Sequence, residues 1–266
     1  MKDLRVLMTS SIVMTELKEK HIFYVDSDLA EGGNSSNFTF KINIPDGCTR
    51  CSVLQASIPK SFYLIQSGNN TFTLQEGAAQ VTVTVPPGNY SMRAFKTVLV
   101  PLLNAASPNV WTYAMTYPGE AGTSAETGKF AYTVTGNGGS QPSFIFPVSS
   151  TLYRQMGFNH SSTNTFVGSA MASVNVLDFN QVRAMYILSD LIQPTAYRDQ
   201  SSNVLQEIFS LNDVDFSRVG FLNPAPHMND KPLQRGKSVF TFTITDNDNT
   251  ILELNGQQVN ISICMW

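Results

Sequence analysis

Short runs in which apolar and polar side chains alternate recur along most of this chain, and they constrain its fold more than any other feature. In "NFTFK", Asn37 to Lys41, Phe38 and Phe40 fall on one face while Asn37, Thr39 and Lys41 fall on the other, the period of two that belongs to a half-buried strand. "HIFYV", "CSVLQASI", "VWTYAMTY", "KFAYTVT", "PSFIFPV", "MASVNV", "RAMYILSD", "VLQEIFS", "KSVFTFTIT" and "VNISICMW" extend the pattern, each bounded by Gly, Pro, Asn or Asp. "NTFTLQEGAAQVTVTVPPG" reads as a hairpin with Phe72 and Leu74 on one arm and Val81, Val83 and Val85 on the other, its connection starting at Glu76 and Gly77. Many short strands between turn residues predict an all-β sandwich or barrel rather than βαβ units.

Two segments depart from this period. In "GNYSMRAFKTVLVPLLNAAS" the apolar Met92, Phe95, Leu99, Leu102 and Leu103 fall three or four apart behind a Ser91 cap, which predicts a helix with one face packed on a sheet. Pro101 removes a backbone donor there, so a kink or an early stop is expected. "SSTLYRQMGF" predicts a shorter helix, started by a serine cap and ended at Gly157.

At 266 residues the chain can bury a sizeable core. No repeat or long polar linker divides it, so the expected organisation is an N-terminal arm, residues 1–19, followed by one domain with long loops, residues 20–266. The apolar part of the arm is broken by Thr9, Ser10 and Ser11 and lacks a small-residue cleavage site, unlike a signal peptide. The longest apolar run elsewhere, Val98 to Leu103, falls far short of the ~20 residues that cross a bilayer, so no membrane span is expected. With 17 basic and 20 acidic side chains the net charge is -3, and no basic stripe offers itself to a phosphate backbone. Direct nucleic-acid binding is not expected.

Sites of chemistry are sparse. Cys48 and Cys51 form a C-x-x-C on a turn entering a strand, whereas the redox motif opens a helix; Cys264, His21, His160 and His227 lack the paired spacing of zinc ligands. The loop within "HIFYVDSDLAEGGNSSNFTFKINIP" places Asp26 and Asp28 in alternation, but Ala30 stands where a third calcium ligand is needed. Asp246 and Asp248 in "TDNDNT" fit a hairpin turn. The three histidines have no adjacent nucleophile motif such as G-x-S-x-G. No catalytic, cofactor-binding or metal residue is assigned, no cofactor is expected, and the chain is not expected to be an enzyme. An enzyme on a sandwich would need His160, His227 and a carboxylate to converge in one cleft.

The order "HIFYVDSDLAEGGNSSNFTFKINIP", "CSVLQASIPKSFYLIQSGNNTFTL" and "VTVTVPPGNYSMRAFKTVLVPLLN" resembles the penton, or minor capsid, proteins of Polinton (Maverick) elements, adintoviruses and virophages. "LYRQMGF" and the closing "TITDNDNTILELNGQQVNISICMW" are similar to the same family's later helix and last hairpin. The resemblance is strongest over residues 20–105, returns at 150–158 and 237–266, and is weak between; Pro101 and the ending "ICMW" depart from it. It implies a single jelly roll, an antiparallel two-sheet sandwich with one or two short helices and the arm. It also implies a homopentamer at the fivefold vertices of an icosahedral capsid, surrounded by a double-jelly-roll major capsid protein. The protein is then expected in the virion, at the capsid vertex, after intracellular assembly, with a host receptor as a further candidate partner.

A ring of five uses a head-to-tail interface that closes by rotation. The candidate subunit-interface residues are Phe62 and Tyr63, after Pro59 ends a strand, and Tyr197 and Arg198 in "PTAYRDQ", since Tyr and Arg are favoured at interfaces. Phe62 and Tyr63 read equally well as core. The alternative function is a jelly-roll module that binds a receptor or glycan through its long loops.

Overall fold

The computed structural model describes residues 19–120, 127–160, 162–179, 182, 184–194, 203–210 and 217–266. The chain enters through β1 (His21–Asp26), β2 (Gly32–Asn34), β3 (Asn37–Lys41) and β4 (Arg50–Pro59). It then makes a long excursion through β5 (Thr71–Glu76), β6 (Ala79–Thr84), α1 (Met92–Ala106), β7 (Thr112–Thr116), β8 (Ala131–Thr135), β9 (Pro142–Ile145), α2 (Leu152–Met156), β10 (Asn164–Thr165) and β11 (Ala170–Ala172). It returns as β12 (Ala184–Ser189), β13 (Val204–Phe209), β14 (Arg218–Leu222), β15 (Lys231–Pro232), β16 (Val239–Thr245) and β17 (Asn260–Met265).

Two five-stranded antiparallel sheets form a sandwich. One runs β1-β17-β4-β14, with β15 against the start of β4; the other runs β13-β12-β16-β3-β2. Set aside the short β2 and β15 and number the remaining sandwich strands in chain order. The sheets then read 1-8-3-6 and 5-4-7-2, the interleaving of a jelly roll. The all-β sandwich expected from alternation is present, and its strand order gives it the jelly-roll form.

Alternation puts Val25, Phe38, Ile187, Phe242, Ile244, Ile261 and Ile263 between the sheets, all nearly or fully buried. Phe38 lies opposite Phe242 across the ladder, with ring centroids 5.6 Å apart. Each such side chain contributes about 1.5–3 kcal/mol on burial. β4 breaks its own parity. Val53 and then Ala56 and Ile58 face inward, and the ladder to β17 shifts where Ser262 faces Gln55 and Ile263 faces Val53. Leu54 is the extra residue of a β-bulge, which lets one long strand keep both halves in the core.

The excursion has a core of its own. A four-stranded sheet, β10-β9-β5-β6, and a three-stranded sheet, β11-β8-β7, enclose Phe72, Phe95, Phe130, Tyr132, Phe144 and Phe158. Many of the rings meet edge to face: Phe72–Phe144 at 5.3 Å, Tyr132–Phe144 at 5.4 Å and Phe144–Phe166 at 5.5 Å. The first hairpin has the expected register, Phe72 opposite Val83 and Leu74 opposite Val81, and Gly77 takes φ 61° in its turn.

Helix α1 is capped as expected, Ala94 N–H donating to Ser91 Oγ at 3.2 Å, and it buries Phe95, Leu99 and Leu103. It does not stop at Pro101 but continues to Ala106. Proline costs a helix interior about 3 kcal/mol, and burial of Leu99 and Leu103 on either side offsets that loss. In α2, Leu152 N–H reaches Ser150 Oγ at 3.3 Å, and Gly157 ends the helix at φ 72°. A Cβ there would lie 2.6 Å from Asn175 O and 2.8 Å from Ser173 Cβ, so space and backbone both demand glycine.

"TDNDNT" makes the expected turn, but no second arm leaves it: after the Thr245–Ile251 bridge the chain drops Leu252 and Leu254 into the sandwich core. The strand β14 lies in a stretch where alternation predicts none. Among the described residues no helix is long and apolar enough to cross a membrane.

Candidate functional site

A concavity of about 580 Å³ lies where the sandwich meets the excursion. Its walls are the exit from β4 at Tyr63 to Asn69, the turn after β16, the helix α2, and the returning segment at Asp178 and Val182. The turn is self-built. Asp246 Oδ1 accepts N–H bonds from Asp248 at 2.9 Å and Thr250 at 2.8 Å, and Asn249 supplies the left-handed residue at φ 63°. Burial raises the Asp246 pKa, against the two capping bonds that lower it. The turn presents Asp248 to Arg154 of α2, whose Nη1 donates to Asp248 Oδ2 at 2.6 Å. Arg154 Nε donates to Tyr153 OH at 3.1 Å, and the guanidinium sits 5.5 Å from the Tyr153 ring centroid. The bond to Asp248 raises the Arg154 pKa. Gln155 is almost buried; its Nε2 donates to Asp178 O at 3.2 Å.

The cleft is thus a joint bridged by a charged hydrogen bond between the two parts of the chain. None of the described histidines or cysteines lines it. His160 lies tilted against Tyr153 with ring centroids 5.0 Å apart, and 3.3 Å from Val148 O. His227 lies 3.2 Å from Lys20 Nζ and meets Trp266 edge to face at 5.6 Å. His21 is in β1. His160 and His227 thus lie in different places and do not share one cleft.

Phe62 is 2% exposed and belongs to the sandwich core. Tyr63, its neighbour, is half-buried and lines the cleft. Tyr197 and Arg198 lie outside the described residues. Asp26 caps its own turn, accepting Asp28 N–H at 3.0 Å. The described residues hold no group of three or more His, Cys, Asp or Glu suited to a metal ion. Cys48, Cys51 and Cys264 are buried and form no disulfide; burial pushes the Cys51 pKa up to about 12 and raises that of Cys264.

Two features lie beyond what the sequence signalled. Arg154 and Asp248 are too far apart in the chain for any spacing rule to pair them. Glu76, read only as the start of a turn, is 1% exposed and ties the excursion together. Its Oε1 accepts from Tyr113 OH and Ser107 Oγ, both at 2.7 Å, and its Oε2 from Asn109 N–H at 3.0 Å. Burial and then this bond raise the Tyr113 pKa.

No family model matches the sequence, and no curated protein does. Among solved structures the chain is similar to the mavirus penton protein, at a TM-score of 0.45 and 11% identity over 93% of this chain and 99% of that one. It is also similar to the D2–D3 domains of the flagellar cap protein of Escherichia coli, at a TM-score of 0.25 and 15% identity over 85% of this chain and 100% of that one. Likenesses at these scores carry no argument about function; the jelly-roll assignment stands on the strand order.

Proposed function

We propose that this protein is a structural capsid protein that assembles as a homopentamer at the fivefold vertices of an icosahedral particle, among copies of a double-jelly-roll major capsid protein. The observation that carries the reading is the jelly-roll strand order, found in a chain whose segments resemble penton proteins in sequence. Such a protein works by fitting its neighbours, and the described residues offer surfaces for that.

A closed ring needs two different flanks on each copy. In the first sheet, Tyr24 of β1 lies opposite Ser262, Ser262 opposite Gln55, and Gln55 opposite Leu222 of β14. Tyr24 is 75% and Leu222 67% exposed, so both edges of this sheet carry an outward apolar side chain. At ~4.8 Å per strand they stand ~14 Å apart, one on each flank. Tyr63, Tyr197 and Arg198 remain candidates for the same ring, and an interface of about 800 Å² per partner is sufficient if its anchors pack well.

The test is the solution mass of residues 1–266 by light scattering, with electron-microscope images of the particles. Fivefold rings are expected. A monomer at every concentration and salt, which also fails to join the major capsid protein, would overturn the reading; glycan or receptor binding by that monomer would favour the binding-module alternative. Tyr24→Arg and the pair Tyr197→Ala and Arg198→Ala are expected to weaken rings while leaving the circular dichroism spectrum unchanged.

A further inference from the structure

The hairpin that links the two small sheets of the excursion is only half zipped. Its tip is closed, Val167 N–H donating to Ala170 O at 2.8 Å and Ala170 N–H to Val167 O at 3.2 Å. In a regular antiparallel hairpin the hydrogen-bonded pairs recur at every second residue, so Thr165 and Ala172 would bond next. They do not, because the arms part: β10 pairs with β9, setting Thr165 opposite Ser143, and β11 pairs with β8, setting Ala172 opposite Ala131. The bonds flanking those positions are Phe166 N–H to Pro142 O at 3.0 Å, Val134 N–H to Ser169 O at 2.9 Å and Ser173 N–H to Phe130 O at 2.8 Å. They make Thr165 and Ala172 the non-hydrogen-bonded members of their own ladders. The backbone N–H and C=O of both therefore point away from β9 and β8, into the space between the arms.

A groove of about 430 Å³ lies there, lined by Thr163, Thr165, Met171, Ala172 and Val174 among others, with no charged side chain in its lining. Val167 and Val174 at its rim are 81% and 53% exposed. Two strand edges that face one gap offer main-chain donors and acceptors to an extended polypeptide, which bonds through its main chain and is selected by the side chains it brings. Here those must be uncharged.

We propose that this seam accepts the run Val6–Thr15 from the arm of a neighbouring copy, an inference that rests on the assembly reading only in that a second copy supplies the arm. Val6–Thr15 is the longest uncharged run outside the described residues, and Val6, Thr9, Ile12, Val13 and Thr15 are residues that strands favour. Fully extended at ~3.3 Å per residue, it reaches up to ~45 Å from Lys20. Insertion would join the four-stranded and three-stranded sheets through one added strand.

The experiment is hydrogen exchange of the segment from Thr163 to Ala172 in the full chain, compared with the full-length variant Ile12→Asp, Val13→Asp, each with its mass measured by light scattering. At concentrations where copies associate, exchange in the unaltered chain is expected to be at least tenfold slower than in the variant. A synthetic Val6–Thr15 peptide added to the variant should restore slow exchange, and the same peptide N-methylated at alternate residues should not. Equal exchange in both chains where copies associate, or protection that survives dilution to single copies, would overturn the proposal. A ring mass with an unprotected seam refutes the seam and leaves the assembly reading; a single-copy mass with peptide-dependent protection upholds the seam as acceptor and refutes that reading.

Discussion

At the scale of single residues, the most consequential group is a carboxylate that no strand pattern marks. Glu76 ends β5 in the interior, and three donors from the end of α1 and the start of β7 converge on it. Removing it leaves the buried Tyr113 hydroxyl without its partner, at about 1–3 kcal/mol, and takes the acceptor from the more exposed Ser107 hydroxyl and Asn109 amide. Glu76→Ala is therefore expected to lower stability by roughly 3 kcal/mol in urea titrations, and Glu76→Gln by less. Gly157→Ala forces a Cβ against Asn175 O at φ 72°; a loss of more than about 1 kcal/mol is expected by the same measurement. The three cysteines make a further check. All are buried and burial disfavours the thiolate, so a thiol reagent at about pH 8, near the ordinary thiol pKa, should react slowly with the native chain and with three groups per chain in denaturant.

At the scale of elements, the pattern of side chains names strands and helices but not their partners. The β5–β6 hairpin is legible because its turn chemistry and both faces lie within one short stretch, and α1 because its apolar spacing outweighs Pro101. β14 escapes notice because Gly220 interrupts "RVGFL" and Leu222 points outward. The division into two cores is not legible at all, since Phe72 and Phe242 alternate in the same way although they are buried in different places. The cleft inherits that blindness: Asp246 is readable as a turn former, whereas its delivery of Asp248 to Arg154 depends on how α2 meets the turn. With side chains 41% and 46% exposed, that pair is worth about 0.5 kcal/mol in a double-mutant cycle, and less in high salt. β15 is held to β4 by a different clamp, Arg50 Nε and Nη2 each donating to Asp230 at 2.7 Å. The Arg50 bond holds the Asp230 pKa below its ordinary value. The folded state thus prefers the carboxylate, so this contribution is complete above about pH 4 and is lost as pH falls through the depressed value. Asp230→Asn should cost up to about 1 kcal/mol near neutral pH, and that difference should vanish at the acid limit of a stability–pH curve.

At the scale of the whole molecule, each sandwich sheet is shared between the two ends of the chain. β1 and β4 are joined to β14 and β17 in one, and β2 and β3 to β12, β13 and β16 in the other, with the excursion between. On a ribosome that division becomes a matter of time. At about 5–20 residues per second, the strands made first wait roughly 10–40 s for the partners made last. During that wait the excursion, whose core among the described residues draws on residues 65–179, already has every strand it needs. It is expected to gain protection first in pulse-labelling experiments, with the amides of β1, β3 and β4 protected only after β17 has emerged. A nascent chain of this design spends its youth with open strand edges, and its yield should depend on what shelters them until β17 emerges.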